Sequence, residues 1–120
     1  MLIFKICPTE LWARARAEGH FDGAEVDLRD GYIHFSTAQQ LRETATRHFA
    51  GQEGLLLVAI DAAALGEALL WEPSRGGALF PHLYAPLPLN AVRWIRPLPL
   101  RPDGTHDIPA LDQETTPRSD

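Results

Sequence analysis

Apolar and polar positions change period several times along the chain, and each change marks an element. Leu2-Ile3-Phe4-Lys5-Ile6 is a short apolar run bounded by Pro8, which predicts a β-strand. Glu10 to Glu18 places Leu11, Trp12 and Ala15 on one helical face, with Thr9 as N-cap and Gly19 where a C′ glycine belongs. Residues 19–31 are polar and glycine-punctuated, with Phe21 and Val26 as apolar anchors, and read as a loop with little regular structure. Tyr32-Ile33-His34-Phe35 predicts a second strand. Directly after it, Ser36-x-x-Gln39 and Thr37-x-x-Gln40 each fit a capping box, opening a helix whose Leu41, Ala45, His48 and Phe49 share a face and which Gly51 stops.

Leu55-Leu56-Leu57-Val58-Ala59-Ile60 is an unbroken apolar run of strand length, suited to a central strand buried on both faces. Asp61 caps a short helical turn that runs to Gly66. Leu69-Leu70-Trp71-Glu72 predicts a strand stopped by Pro73, Leu79 to Tyr84 a further one, and Val92 to Arg96 the last. All prolines but Pro8 lie from Pro73 onward, so the second half is expected to be poor in helix. Two helices among five or six short strands make a small α+β domain, placed at residues 1–100, with a polar tail at 101–120.

Composition narrows the function classes. A chain of 120 residues holds about one domain. Lys and Arg number 11 against 16 Asp and Glu, a net charge of −5, which disfavours bulk nucleic-acid binding. No apolar stretch approaches the ~20 residues that span a bilayer, and the N-terminus reads as a strand rather than a leader, so a cytoplasmic protein without a membrane partner is expected. Oligomeric state stays open. Cys7 is the lone cysteine and suits a core position. His20, His34, His48, His82 and His106 lack any ligand-pair spacing, so no metal is expected. Trp12, Trp71 and Trp94 read as core or rim anchors.

Three constellations could carry chemistry. Strand alternation turns His34 and Ser36 the same way at a strand–helix junction, where free backbone N–H groups favour an anion near Ser36 and Thr37. The alternative is that the hydroxyls only cap the helix and His34 bonds within the core. In Trp71-Glu72-Pro73-Ser74-Arg75-Gly76-Gly77, Glu72 could serve as a base or bind a ribose hydroxyl, Arg75 could clamp a phosphate, and Gly76 would let a ligand approach the backbone. A surface pair between Glu72 and Arg75 is the plainer reading. In Phe80-Pro81-His82-Leu83-Tyr84, His82 and Tyr84 share a strand face and could stack on a base or bind phosphate, or form a half-buried pair with a wet tip.

The blocks Ile3-Phe4-Lys5-Ile6-Cys7-Pro8 with Trp12, Asp30-Gly31-Tyr32-Ile33-His34-Phe35-Ser36-Thr37, and Trp71-Glu72-Pro73 through Phe80-Pro81-His82-Leu83-Tyr84 resemble the bacterial family of domain of unknown function 952. That resemblance implies an ADP-ribosyltransferase-like fold, a group that includes NAD-splitting enzymes and RNA 2′-phosphotransferases. Tyr32-Ile33-His34-Phe35-Ser36 is also similar to the His-x-His-Leu-Ser strand of the phosphotransferases, with Tyr32 in place of their first histidine, and Lys5 stands where many transferases carry a ribose-binding histidine or arginine. The implied site is a cleft between two small sheets with NAD as substrate. His34 and Glu72 would be its catalytic residues. Lys5, Ser36, Thr37, Arg75, Gly76, His82 and Tyr84 would contact the ligand. A module that binds a small nucleotide-like or phosphorylated ligand is the leading reading. A transferase using NAD and a protein-interaction domain are the alternatives.

Overall fold

The computed structural model describes residues 1–111. In chain order the elements are β1 (Leu2–Pro8), α1 (Thr9–Glu18), β2 (His20–Phe21), α2 (Glu25–Asp30), β3 (Ile33–His34), α3 (Ala38–Phe49), β4 (Leu55–Asp61), β5 (Leu69–Pro73), β6 (Leu79–Leu83), β7 (Leu87–Pro88) and β8 (Val92–Leu98). Three 3₁₀ segments lie at Ala62–Ala68, Arg75–Gly77 and Leu89–Ala91.

The unbroken apolar run becomes β4, the middle strand of an antiparallel sheet ordered β1-β4-β8. A strand in that place has two apolar faces to bury. On one face Val58 and Ile60 join Ile3 and Cys7 of β1, Trp12 and Ala15 of α1, and Phe21, Ile33, Leu83 and Leu87 from the smaller sheets. On the other, Leu55, Leu57 and Ala59 join Phe4 and Ile6 with Leu41 and Ala45 of α3. The second sheet is ordered β3-β6-β5, and β2 pairs with β7 alone. Besides that shared core, the two three-stranded sheets are joined by an antiparallel backbone bridge, Phe4 to Ser36. Residues 100–111 return to the second core: Leu100 bridges to His106, and Ile108 and Leu111 pack against it. The part of the expected polar tail at 112–120 lies outside the described residues.

The α+β class and the helix-poor second half hold, but the element count does not. Residues 19–31 form β2 and α2 rather than a loop. Helix α2 is six residues long and carries no apolar stripe. Its start is fixed instead by Asp27, whose Oδ2 accepts the Ala24 N–H at 2.7 Å. Thr9 is the first residue of α1 and not its cap, because its hydroxyl donates to the Gly54 carbonyl at 2.8 Å. Of the two possible capping boxes, Thr37 and Gln40 form theirs, with Thr37 N–H to Oε1 at 3.0 Å and Gln40 N–H to Oγ1 at 3.2 Å. Trp12 is a core anchor, whereas Trp71 lies at the rim, 38% exposed on edge strand β5. No helix among the described residues is long and apolar enough to cross a membrane.

Candidate functional site

The site begins where two strands part. Phe4 N–H donates to the Ser36 carbonyl at 2.8 Å, and Ser36 N–H returns the bond to Phe4 at 2.9 Å. Continued pairing would set Ile6 opposite His34. Instead His34 N–H donates to Asp27 Oδ1 at 3.0 Å, and the His34 carbonyl accepts from Lys5 Nζ at 3.0 Å. A lysine and an aspartate thus stand where the next rung of the ladder would be. The strands splay, and a cleft of about 500 Å³ opens between β1, β3, α2 and α3. Ile6, Arg29, Asp30, His34, Ser36 and His48 are among its lining residues.

Strand geometry gives the cleft a further polar feature. Phe4 uses its N–H and C=O on Ser36, so it faces away from β4. Ile6, two residues on, faces the same way. Ile6 is 5% exposed, and its amide and carbonyl meet no partner among the described residues. A buried strand edge in that condition calls for a bonding partner.

Asp27 organises the polar side. Its carboxylate is fully buried and takes Lys5 Nζ at 2.8 Å, His34 Nδ1 at 2.6 Å, and the backbone N–H groups of His34 and Ala24. Burial pushes this carboxyl up. The His34 bond, the Lys5 charge and bond, and the Ala24 N–H outweigh it and hold the group at about 2. Gly23, at φ 120°, permits the close approach, since a Cβ there would lie 2.7 Å from that of Asp27.

His34 is held at both ring nitrogens, because Nε2 lies 3.0 Å from Asp30 Oδ2. Its neighbour Tyr32 packs its ring 4.6 Å from His34 and stacks on His82 at 4.1 Å. His82 Nδ1 meets Glu72 Oε1 at 2.7 Å, and Tyr84 donates its hydroxyl to the same oxygen at 2.8 Å. The His82 and Tyr84 bonds hold Glu72 below the usual carboxylate range, and the Glu72 bond pushes the Tyr84 hydroxyl up to about 12. Tyr32 is raised by burial and by the charges of Asp30 and Glu72.

Of the residues singled out in the sequence, Lys5, His34 and Ser36 line the cleft. Lys5 is committed to Asp27. Ser36 is buried, with its hydroxyl 2.8 Å from that of Thr44 and not in a bond to His34, so no Ser–His–Asp relay forms. Thr37 is occupied as the cap of α3. Glu72, His82 and Tyr84 form one hydrogen-bonded group that meets His34 through the Tyr32 ring and directly through the His82 ring, 5.5 Å away edge to face, and none of the three lines the cleft. Gly76, with φ 66°, lies in the 3₁₀ turn that Arg75 opens; it does not line the cleft either, although Ser74 just before it does. The sequence reading missed Ile6, Asp27, Arg29, Asp30 and Tyr32. Glu18, His20 and Asp22, all exposed, bring ligand atoms within 4.8 Å of one another outside this cleft.

The α+β fold, with two three-stranded sheets and one two-stranded sheet, is shared with a solved protein. The chain belongs to the family described as protein of unknown function (DUF952), whose model matches residues 6–95. It is similar to protein CC0527 of Caulobacter crescentus. In one crystal structure of that protein the identity is 46%, with 95% of this chain and 97% of that chain covered and a TM-score of 0.87. In its solution NMR structure the identity is 48%, with 94% and 95% covered and a TM-score of 0.79. No curated protein matches.

Proposed function

We propose that the cleft between β1 and β3 binds a small nucleotide-like ligand that carries both an amide and an anionic group, with NAD as the leading candidate. The observation that carries this reading is the splay of the two strands, which leaves the Ile6 N–H and C=O unpartnered beside His34. A ring carboxamide offers one acceptor and one donor, the complement of that pair. The aromatic and aliphatic walls, including Phe4, Val26 and Phe49, suit a flat ring, and Arg29 and His34 suit phosphate. An ADP-ribosyltransferase-like relationship would place NAD in such a cleft.

Binding is favoured over transfer chemistry. Glu72, the carboxylate assigned to catalysis from the sequence, is hydrogen-bonded to His82 and Tyr84 and does not line the cleft. The test is calorimetric titration with NAD, ADP-ribose and nicotinamide, together with amide chemical shifts of the protein. Saturable binding that moves the Ile6 amide and is weakened at least tenfold by His34→Ala is expected. Absence of binding by all three compounds overturns the reading. Steady release of nicotinamide would show that the transferase alternative is correct.

A further inference from the structure

We propose that the anion subsite of the cleft is the Nε2 edge of His34 together with Arg29, and that the Asp30 carboxylate occupies it in the unliganded protein as a built-in competitor. The inference rests on the cleft reading above for its location, and it adds the ligand group that the subsite takes: a phosphate or another compact anion.

The two carboxylates on the His34 ring are unlike in every physical respect. Each ring nitrogen faces one of them, Nδ1 to Asp27 at 2.6 Å and Nε2 to Asp30 at 3.0 Å, so a proton on either nitrogen has a carboxylate to receive it. Asp27 has no exposed surface and is held by donors from Lys5, His34 and Ala24. It cannot leave without stranding Lys5. Asp30 is the last residue of α2, and one third of its side chain is exposed. Its other side-chain contact is a longer one, to Arg29 Nε at 3.4 Å.

Two donors, the Arg29 guanidinium and the Nε2 edge of His34, therefore converge on one loosely held carboxylate in a cleft large enough for a ligand. Arg29, Asp30 and His34 all line it. An arriving anion would take the same N–H groups, and the displaced Asp30 carboxylate would turn to water at small cost, since it is already partly wet. Lys5 already balances Asp27, so the Arg29 charge and the Nε2 edge of His34 are left for the ligand. The internal contact lowers the apparent affinity by the fraction of time the subsite is closed. An intramolecular carboxylate in that place disfavours weak monoanions and leaves the site to ligands with more charge.

The experiment titrates inorganic pyrophosphate and NAD into the wild-type protein and into Asp30→Asn, an isosteric change at an exposed position. The ring-nitrogen shifts of His34 and calorimetry are the readouts, and the thermal midpoint serves as a folding control. Asp30→Asn is expected to tighten pyrophosphate binding roughly three- to tenfold, and His34→Gln to abolish it. Weaker or unchanged binding in Asp30→Asn, or no pyrophosphate binding in either protein, overturns the proposal. Pyrophosphate binding without NAD binding would leave the subsite standing and sink the nucleotide reading. NAD binding that is indifferent to Asp30→Asn would do the reverse.

Discussion

The two histidine–carboxylate pairs are built as opposites. In the pair of Asp27 and His34 the carboxylate has no exposed surface and the imidazole is about one third exposed; in the pair of Glu72 and His82 the imidazole is buried and the carboxylate is about one third exposed. The contacts are nearly equal, 2.6 Å and 2.7 Å, so distance does not separate them. Environment does. A buried carboxylate must be neutralised and fully hydrogen-bonded, which makes Asp27 a fixed anchor and His34 the group that faces the cleft. In the second pair His82, stacked under Tyr32, is the anchor and Glu72 is the group shown to solvent.

The sharpest break of this comparison is to remove each carboxylate in turn. Asp27→Ala leaves Lys5 Nζ and the N–H groups of Ala24 and His34 without their acceptor in a dry site. A loss of about 3–5 kcal/mol is expected from urea denaturation. Glu72→Gln is expected to lose only a small fraction of that, because water can replace an exposed carboxylate. Replacing the buried pair by apolar residues, Lys5→Met with Asp27→Leu, should be less damaging than Asp27→Ala alone, since no charge is stranded. Equal losses at Asp27 and Glu72 would show that the two pairs are not opposites.

Acid provides the second test. The Asp27 carboxyl is held at about 2 in the folded protein against an ordinary 3.8. A depressed carboxyl stabilises the fold fully above its unfolded value, and that stabilisation is lost as pH falls through the folded one. About 2 kcal/mol should therefore disappear between roughly pH 5 and pH 1. Glu72 is shifted in the same direction but sits at the surface, so Glu72→Gln should keep most of the acid dependence. Urea midpoints measured from pH 5 downward would show it, and a flat profile in Glu72→Gln would move the effect to the wrong pair.

The contrast also explains what the sequence could disclose. Patterns within a few residues were legible: Thr37 and Gln40 cap α3 as their spacing predicts, and His82 and Tyr84 share a strand face as alternation predicts, whereas their common bond to Glu72, 10 and 12 positions away, was not. Asp27 was not legible, because its meaning comes from Lys5, 22 positions away, and from His34, 7 positions on. Nothing local marks an aspartate in a short polar helix as the most committed charge in the site. The cleft was half legible. His34 and Ser36 both reach it, but Ile6 matters only through which edge of β1 faces outward, and that depends on the pairing with β4 and with Ser36. Trp71 is the rim case of the two the sequence left open, because apolar size alone does not tell an edge strand from a covered one.

The smallest effect is spectroscopic and probes the exposed pair alone. Tyr84 donates its hydroxyl to Glu72 Oε1, a bond that favours the protonated tyrosine and the ionised glutamate together. Tyr84 accordingly stands at about 12, above its ordinary 10.0. In Glu72→Gln the phenol loses its charged acceptor, and its ionisation, followed by tyrosinate absorbance, should return toward 10.0. In Tyr84→Phe the side-chain carboxyl signal of Glu72 should titrate higher than in the wild type, moving toward 4.5, while its bond to His82 keeps it from reaching that value. The Asp27 signal should not move in either variant, because Tyr84 and Glu72 make no contact with its shell of donors. Joint movement of Asp27 and Glu72 would mean that Tyr32 or the direct contact of the His34 and His82 rings couples the pairs into one titrating network, and the anchor and presented group of each could no longer be assigned separately.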